Sequence, residues 1–292
     1  MAERPMLLSV VLITFNEEAN LARTLESVSS MISEGKGEII VVDSGSTDRT
    51  VEIAKSYGAK VFVEEWKGFA AQKNSAIDRA KGDWILSLDA DEEVNAELAA
   101  HISSAMTDAE NGPPEWNLAP RVKARYEDLR TNVGTLASAF WIARKNHFLG
   151  RWIKHGGFYP DRKLRLFSRG HARFDESRAV HEDAHSNRPT AIVRVGALLH
   201  HSYPTLSDYI EHMNRYSSLG AEMVVAKGNG KVLFSVINIV LRPVATFIYN
   251  YVFRLGFLDG REGLLLHLYH AVYVSWKYAK AWELSRKQYF SS

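Results

Sequence analysis

"WILSLDADEEV" (84–94) is the stretch on which the reading of the chain turns. Trp84 to Leu88 is an apolar run of strand length that ends in Asp89 and Asp91, with Glu92 and Glu93 directly behind. Carboxylates this close repel one another, and partial burial raises the cost of keeping them ionised. Such a cluster calls for positive charge nearby. Upstream, the same arrangement occurs twice more: "LLSVVLI" (7–13) runs into "TFNEE", and "EIIVVD" (38–43) runs into "SGSTD". Helical spacing fills the gaps. "NEEANLARTLESVSS" (16–30) puts Leu21, Leu25 and Val28 on one face, "STDRTVEIAKSYG" (46–58) has a polar start and a Gly58 stop, and a helix over 69–81 follows the strand "KVFVEE" (60–65). Strand–helix alternation with continuous apolar strands predicts an α/β fold, a Rossmann-like and mostly parallel sheet with helices on both faces. In such sheets the ligand lies outside the carboxyl ends of the strands, where all three acidic motifs fall. The same residue types also make Asx and Ser turns, and Ser46, Thr47 and Asp48 fit a helix start equally well.

The 292 residues exceed one typical domain, and 46% hydrophobic content supports a sizeable core. With no cysteine, disulfides and thiolate chemistry are excluded, which suits a reducing cytosol. The N-terminus lacks the features of a secretory signal. A net charge of +2 conceals an uneven distribution: residues 1–100 carry 10 Lys/Arg against 18 Asp/Glu, residues 101–230 carry 18 against 13, and residues 231–292 carry 8 against 3. No nucleic-acid-binding motif accompanies the basic portion, so nucleic acid is not an expected partner.

From about 110 to 205 the alternation stops, and "FWIARKNHFLGRWIKHGGFYPDRKLRLFSRG" (140–170) mixes aromatic and basic residues in a way that suits a polar, anionic ligand. Within it, Arg162, Arg165 and Arg169 are candidates to hold a diphosphate or an anionic acceptor, because guanidinium pairs with phosphate bidentately. The rest, 206–292, reads as helical. Arg242, Thr246, Asn250 and Arg254 recur every four residues as a polar stripe, opposed by Val244, Phe247, Ile248, Tyr251, Val252 and Leu255. No uncharged apolar run approaches the roughly 20 residues that span a bilayer. An amphipathic helical tail with basic residues predicts docking on a membrane surface through residues 232–287, or packing on the body or on a second copy as a homo-oligomer.

Asp-x-Asp at a strand's carboxyl end suits Mg²⁺ or Mn²⁺, which take hard oxygen ligands and share them with phosphate. A divalent cation held with a phosphorylated ligand is therefore the expected source of the missing positive charge. "SVVLITFNEEANLARTLESV", "EIIVVDSGSTDRTVEIA" and "AAQKNSAIDRAKGDWILSLDADEEV" together resemble the inverting GT-A glycosyltransferases of family 2 across about the first 95 residues. "GRWIKHGGFYPDRKLRLFSRG", "AVHED" and "GFLDGREGLLLHLYHAVYVSWKYAKAWE" are similar to a narrower group, the lipopolysaccharide core β-1,4-glucosyltransferases that act on inner-core heptose.

The resemblance implies a UDP-sugar donor and assigns roles. Thr14 and Phe15 would line the base pocket, Phe15 standing where a Tyr is frequent; Glu17 and Asp43 would accept hydrogen bonds from base or ribose; Lys73 and Asn74 would reach the nucleotide. Asp89 would contact ribose or metal, and Asp91 would be the main metal ligand. Residues 1–96 would form the nucleotide-sugar half, 97–205 the acceptor-binding and catalytic half, and 206–292 the membrane-associating tail. Inversion needs a general base opposite the leaving diphosphate. Glu182 is the first choice, with Asp183 and Asp161 behind it, and His181 is a metal ligand, a base orienter or a hydrogen-bonding His. The expected enzyme moves a hexose, glucose by resemblance, from the UDP-sugar to the lipopolysaccharide inner core at the cytoplasmic face of the inner membrane. A transferase acting on a polyprenyl phosphate and a non-catalytic membrane-docking scaffold of the same fold are the alternatives.

Overall fold

A computed structural model describes residues 7–111, 137–177, 183–193, 195–226 and 236–290. The chain divides into two compact units, the first Met1–Arg144 with Arg162–His200, the second Lys145–Asp161 with His201–Ser292.

The first unit opens with strand β1 (Leu8–Thr14), helix α1 (Leu21–Ile32), β2 (Gly37–Asp43), α2 (Thr50–Ser56), β3 (Lys60–Val63), α3 (Phe69–Arg79), β4 (Trp84–Leu88), β5 (Glu92–Val94) and α4 (Ala96–Asn111). Further along the chain come β6 (Ala139–Phe148), β7 (Arg151–Trp152), β8 (Asp161–Ser168), β9 (Ala172–Phe174), β10 (Ala184–Ser186), β11 (Thr190–Ile192) and β12 (Leu198–Tyr203). The large sheet runs β3-β2-β1-β4-β8-β6-β12-β5, with β11 and β7 on β6, and β9 and β10 make a separate antiparallel pair. β1, β2, β3 and β4 are mutually parallel, as the alternation predicts, whereas β8 joins β4 antiparallel and β5 joins β12 antiparallel. The result is a mixed α/β sheet.

Both faces of the central strands are buried, which is why they read as unbroken apolar runs. Leu8, Val10 and Leu12 pack with Leu21, Leu25 and Val28 on one face; Val11, Ile40, Val42 and Ile85 pack with Ala76 and Ile77 on the other. Each such side chain contributes about 1.5–3 kcal/mol on leaving water. Register pairs Thr14 with Asp43 and Leu12 with Leu88, so the carboxyl ends of β1, β2 and β4 lie side by side at one edge.

α1 and α2 begin later than their spacing predicts, at Leu21 and Thr50 rather than 16 and 46. The intervening residues are committed elsewhere. Asn16 N–H donates to Ser46 Oγ (2.8 Å), Thr47 N–H to Asn16 Oδ1 (2.9 Å), Glu17 N–H to Thr50 Oγ1 (2.7 Å) and Arg49 N–H to Glu18 Oε2 (3.1 Å). Short polar side chains outcompete the helical backbone here and zip the two loops together.

In the second unit β7 hydrogen-bonds the end of β6. Helices α5 (Leu206–Ala226), α6 (Arg242–Ile248) and α7 (Gly260–Phe290) follow, α6 being flanked by wider turns at Ile237–Leu241 and Tyr249–Phe253. Lys280 Nζ on α7 ties α5 down by donating to the Asn214 carbonyl (2.7 Å) and Ser217 Oγ (2.7 Å). Asp259, 2% exposed, accepts the backbone N–H of His155 (2.8 Å) and lies 2.9 Å from His155 Nδ1. The stripe predicted to be the wet face of 242–254 is not uniformly so: Arg242 and Arg254 are exposed, while Thr246 and Asn250 are half-buried and Val244, Ile248 and Val252 face out. Among the described residues no helix is long and apolar enough to cross a membrane.

Candidate active site

The loop after β2 is built around Asp43. Its Oδ2 accepts from Thr14 Oγ1 (2.7 Å) and Ser46 Oγ (2.6 Å), and its Oδ1 accepts from the N–H groups of Gly45 (3.0 Å) and Ser46 (2.7 Å). Four donors occupy the four lone-pair directions of a carboxylate. Gly45 turns at φ 90°, where a side chain would be strained, to deliver its N–H. Asp43, expected to meet base or ribose, is 1% exposed and is the keystone of this loop. Thr14 is buried and its hydroxyl donates to Asp43. Phe15, the next residue, presents its ring outward at 57% exposure. Glu17 is half-buried beside it in sequence, and its carboxyl is raised by burial and by the nearby Asp91, Asp48 and Asp89 against a hydrogen bond from Asn20.

The carboxylates after β4 find their positive charge within the chain. Arg165, on β8, donates through Nη2 to Asp89 Oδ2 and to Glu92 Oε1 (2.7 Å). Lys73 Nζ of α3 lies 2.9 Å from Asp89 Oδ1, and Arg144 Nη1 of β6 lies 3.1 Å from Glu92 Oε1 and 3.7 Å from Asp89 Oδ2. Glu92, with no exposed surface, closes the turn by accepting the Asp89 N–H (2.9 Å). Burial alone would push the Asp89 carboxyl up, but Arg165, Lys73 and Arg144 outweigh it and hold it well below the usual carboxylate range. The Arg165 guanidinium is correspondingly raised by Asp89 and Glu92 against the effect of burial. Arg165 and Lys73, both expected to reach the nucleotide or its diphosphate, are thus placed against Asp89.

Asp91 is different. Its Oδ2 lies 3.3 Å from His200 Nε2 at the end of β12, and His200 lowers its carboxyl against the upward push of burial. A carboxylate and an imidazole nitrogen this close fit a hard divalent cation that takes its remaining ligands from phosphate oxygens and water. Among the described residues no group of three or more His, Asp or Glu suited to a metal is present.

The other candidates scatter. Asn74, buried, donates to the Phe174 carbonyl (3.0 Å) and Glu176 Oε1 (2.7 Å) and accepts the Phe174 N–H (2.9 Å), and so fastens β9 to α3. Arg162 is exposed, and Arg169 Nε donates to the Gly82 carbonyl (2.8 Å). Asp183 pairs with Lys163 (3.3 Å) in the first unit. Asp161, which belongs to the second, accepts from Asn146 Nδ2 (3.2 Å). His181 and Glu182 lie outside the described residues. Sequence reasoning missed Arg144, His200 and the buried role of Glu92. The only local cue was a His pair closing an apolar run in "ALLHHSY" (197–203).

The profile of Glycosyl transferase family 2 matches residues 9–173, more than half of the chain. The chain is 30% identical over 283 residues to "Lipopolysaccharide core biosynthesis glycosyltransferase LpsC" of Rhizobium meliloti (strain 1021), across 94% of this chain and 92% of that protein. An uncharacterized glycosyltransferase of Rickettsia typhi is 30% identical over 288 residues, across 96% of this chain and 88% of its own. Among solved structures, S. aureus TarS 1–349 in complex with UDP aligns over 97% of this chain and 92% of its own, at 17% identity and a TM-score of 0.47. With acidic motifs at the carboxyl edge of a mostly parallel half-sheet and the family profile spanning that half-sheet, the chain is a glycosyltransferase of GT-A fold and belongs to Glycosyl transferase family 2.

Proposed function

We propose that the enzyme transfers glucose from UDP-glucose, with inversion, to a heptose of the lipopolysaccharide inner core, in a reaction that depends on Mg²⁺ or Mn²⁺. The observation that carries this reading is the similarity to LpsC along 94% of the chain. Residues 1–96 would bind the nucleotide sugar, 97–205 the acceptor, and 206–292 the membrane, placing the enzyme on the cytoplasmic face of the inner membrane.

In this reading the exposed Phe15 ring stacks on uracil and Glu17 accepts a hydrogen bond from base or ribose. Arg162 supplies a cation toward phosphate. Asp91 and His200 would hold the divalent cation, which when bound supplies positive charge to the departing diphosphate. The Arg165–Asp89–Glu92 clasp fixes the Asp91 turn, because Glu92 and Asp89 anchor both ends of it. Glu182, or Asp183 beside it, takes the proton from the acceptor hydroxyl as its oxygen attacks the anomeric carbon and the carbon–diphosphate bond breaks.

The test is a panel of UDP-sugars with truncated inner-core lipopolysaccharide, with Mg²⁺ or Mn²⁺ and then with EDTA. Cation-dependent transfer from UDP-glucose supports the proposal. Donor binding without transfer to this acceptor overturns its acceptor half and directs the assay to a polyprenyl phosphate.

A further inference from the structure

In the second unit one helical run turns a line of apolar residues outward. Along the helical run Ile237–Phe253, Ile237, Leu241, Val244, Ile248 and Val252 recur at intervals of three or four residues and are 43 to 61% exposed; Phe253 beside them reaches 73%. The inward positions mix Pro243, buried, and Ile239, Phe247 and Tyr251, half-buried, with polar groups: Asn238 is 4% exposed, Thr246 and Asn250 are half-buried, and Ser275 Oγ of α7 reaches in to donate to the Ile239 carbonyl (3.0 Å). The stripe continues into the next turn, where Leu255, Phe257 and Leu258 are exposed while Asp259 between them and α7 is buried. Scattered apolar residues on a surface need no explanation, but a contiguous stripe of this kind marks a face that is covered in use.

We infer that residues 236–258 lie in the boundary layer of a lipid bilayer, with this apolar stripe against the acyl chains and the helix axis in the plane of the membrane. At about 25 Å of helix the run is too short to be a span, and its outward apolar stripe suits lying flat. Charge chooses the occupant. Arg242, after Leu241, and Arg254, after Phe253, stand exposed along the stripe and Arg261 follows it, in a segment, 231–292, that carries 8 Lys/Arg against 3 Asp/Glu. A second copy seated on this face about a two-fold axis would bring the same arginines against one another. An anionic leaflet attracts each of them. Both guanidiniums are steered by rings, Arg242 over Tyr278 at 5.0 Å and Arg254 over Tyr249 at 5.8 Å, which holds them beside the stripe. This surface gives the proposed transferase its route to a lipid-linked acceptor and rests on that reading for its purpose only.

Flotation of the full chain with vesicles tests it, using phosphatidylcholine alone and phosphatidylcholine with about a third phosphatidylglycerol, and neither donor nor acceptor. The wild type floats with the anionic vesicles, and the partition coefficient of V244S/I248S/F253S falls about tenfold or more. These positions are exposed, so the melting temperature stays near that of the wild type; F253S alone, at the most exposed site, gives a smaller loss in the same direction if the triple variant is unstable. Wild type that stays out of both vesicle populations, or variants that float equally well, overturns the inference. So does a wild-type dimer by light scattering that the triple variant turns into a monomer, which assigns the face to a second copy. Because no sugar is present, flotation and the transfer assay fail independently.

Discussion

Arg165→Met removes the guanidinium that clasps the acidic motif while keeping an unbranched stem of similar reach. Arg165 is 3% exposed and bridges Asp89 and a fully buried Glu92 through one nitrogen. Leaving buried carboxylates without their partner costs about 3–5 kcal/mol. Lys73, 2.9 Å from Asp89, and Arg144, 3.1 Å from Glu92, stay behind and moderate the loss, so the expected destabilisation is near the lower end, about 3 kcal/mol at pH 7. Its pH dependence has a definite sign. The native Asp89 carboxyl lies below its unfolded value, so its contribution is present above about pH 4, the unfolded value, and is lost as pH falls through the folded one. In the variant the Asp89 carboxyl rises toward its unfolded value and that contribution shrinks. The two proteins therefore differ most at neutral pH and converge on acidification below about pH 4. Urea denaturation followed by tryptophan fluorescence at neutral pH and in steps below pH 5 measures both. Coincident curves at pH 7, or a gap that persists undiminished in acid, would mean that Lys73 and Arg144 suffice and that the clasp does not neutralise the motif.

Three further outcomes follow from the site. Asn74→Ala orphans the Phe174 N–H and carbonyl and should cost about 1–3 kcal/mol of stability with unchanged donor affinity; an affinity loss in a protein of wild-type stability would return Asn74 to the nucleotide. Asp91→Asn should lower cation-dependent turnover by about 10²-fold or more with the melting temperature preserved, and turnover near wild type sinks the cation assignment. Glu182→Gln should bind donor but not transfer, and normal transfer moves the base to Asp183 or Asp161.

The parallel half of the sheet was legible because β1, β2 and β4 are buried on both faces and so appear as uninterrupted apolar runs, and because a parallel sheet brings the residues after them to one edge. What the residue pattern could not separate was ligand-facing from turn-making polarity. Asp43 and Asp91 both follow an apolar strand, yet Asp43 is saturated by its own loop and Asp91 faces His200. The distinction depends on how many backbone N–H groups turn back on the carboxylate, which a single Gly45 decides. The pairing of the cations was invisible for another reason. Arg165 and Arg144 meet Glu92 from 73 and 52 positions away through strands that join the sheet antiparallel or out of sequence order, and no local spacing encodes that pairing.

Counting charge at the site leads to an ordering of binding events. Asp89 and Glu92 are already matched by Arg165, Lys73 and Arg144, which leaves one positive charge over, and Asp91 cancels it. A bare divalent cation approaching Asp91 and His200 therefore meets three fixed cations around the neighbouring carboxylates, with Glu17 as a further acid near Asp91. The same cation accompanied by a diphosphate arrives with its charge largely offset, and the phosphate oxygens face those cations favourably. Cation affinity should thus be coupled to nucleotide, with Mn²⁺ binding about tenfold or more tighter when UDP is present and UDP gaining the same factor from Mn²⁺. Titration calorimetry of Mn²⁺ alone, of UDP alone, and of each in the presence of the other measures both factors. Equal Mn²⁺ affinity with and without UDP would show that Asp91 and His200 form a self-sufficient metal site and that the surrounding cations do not govern it.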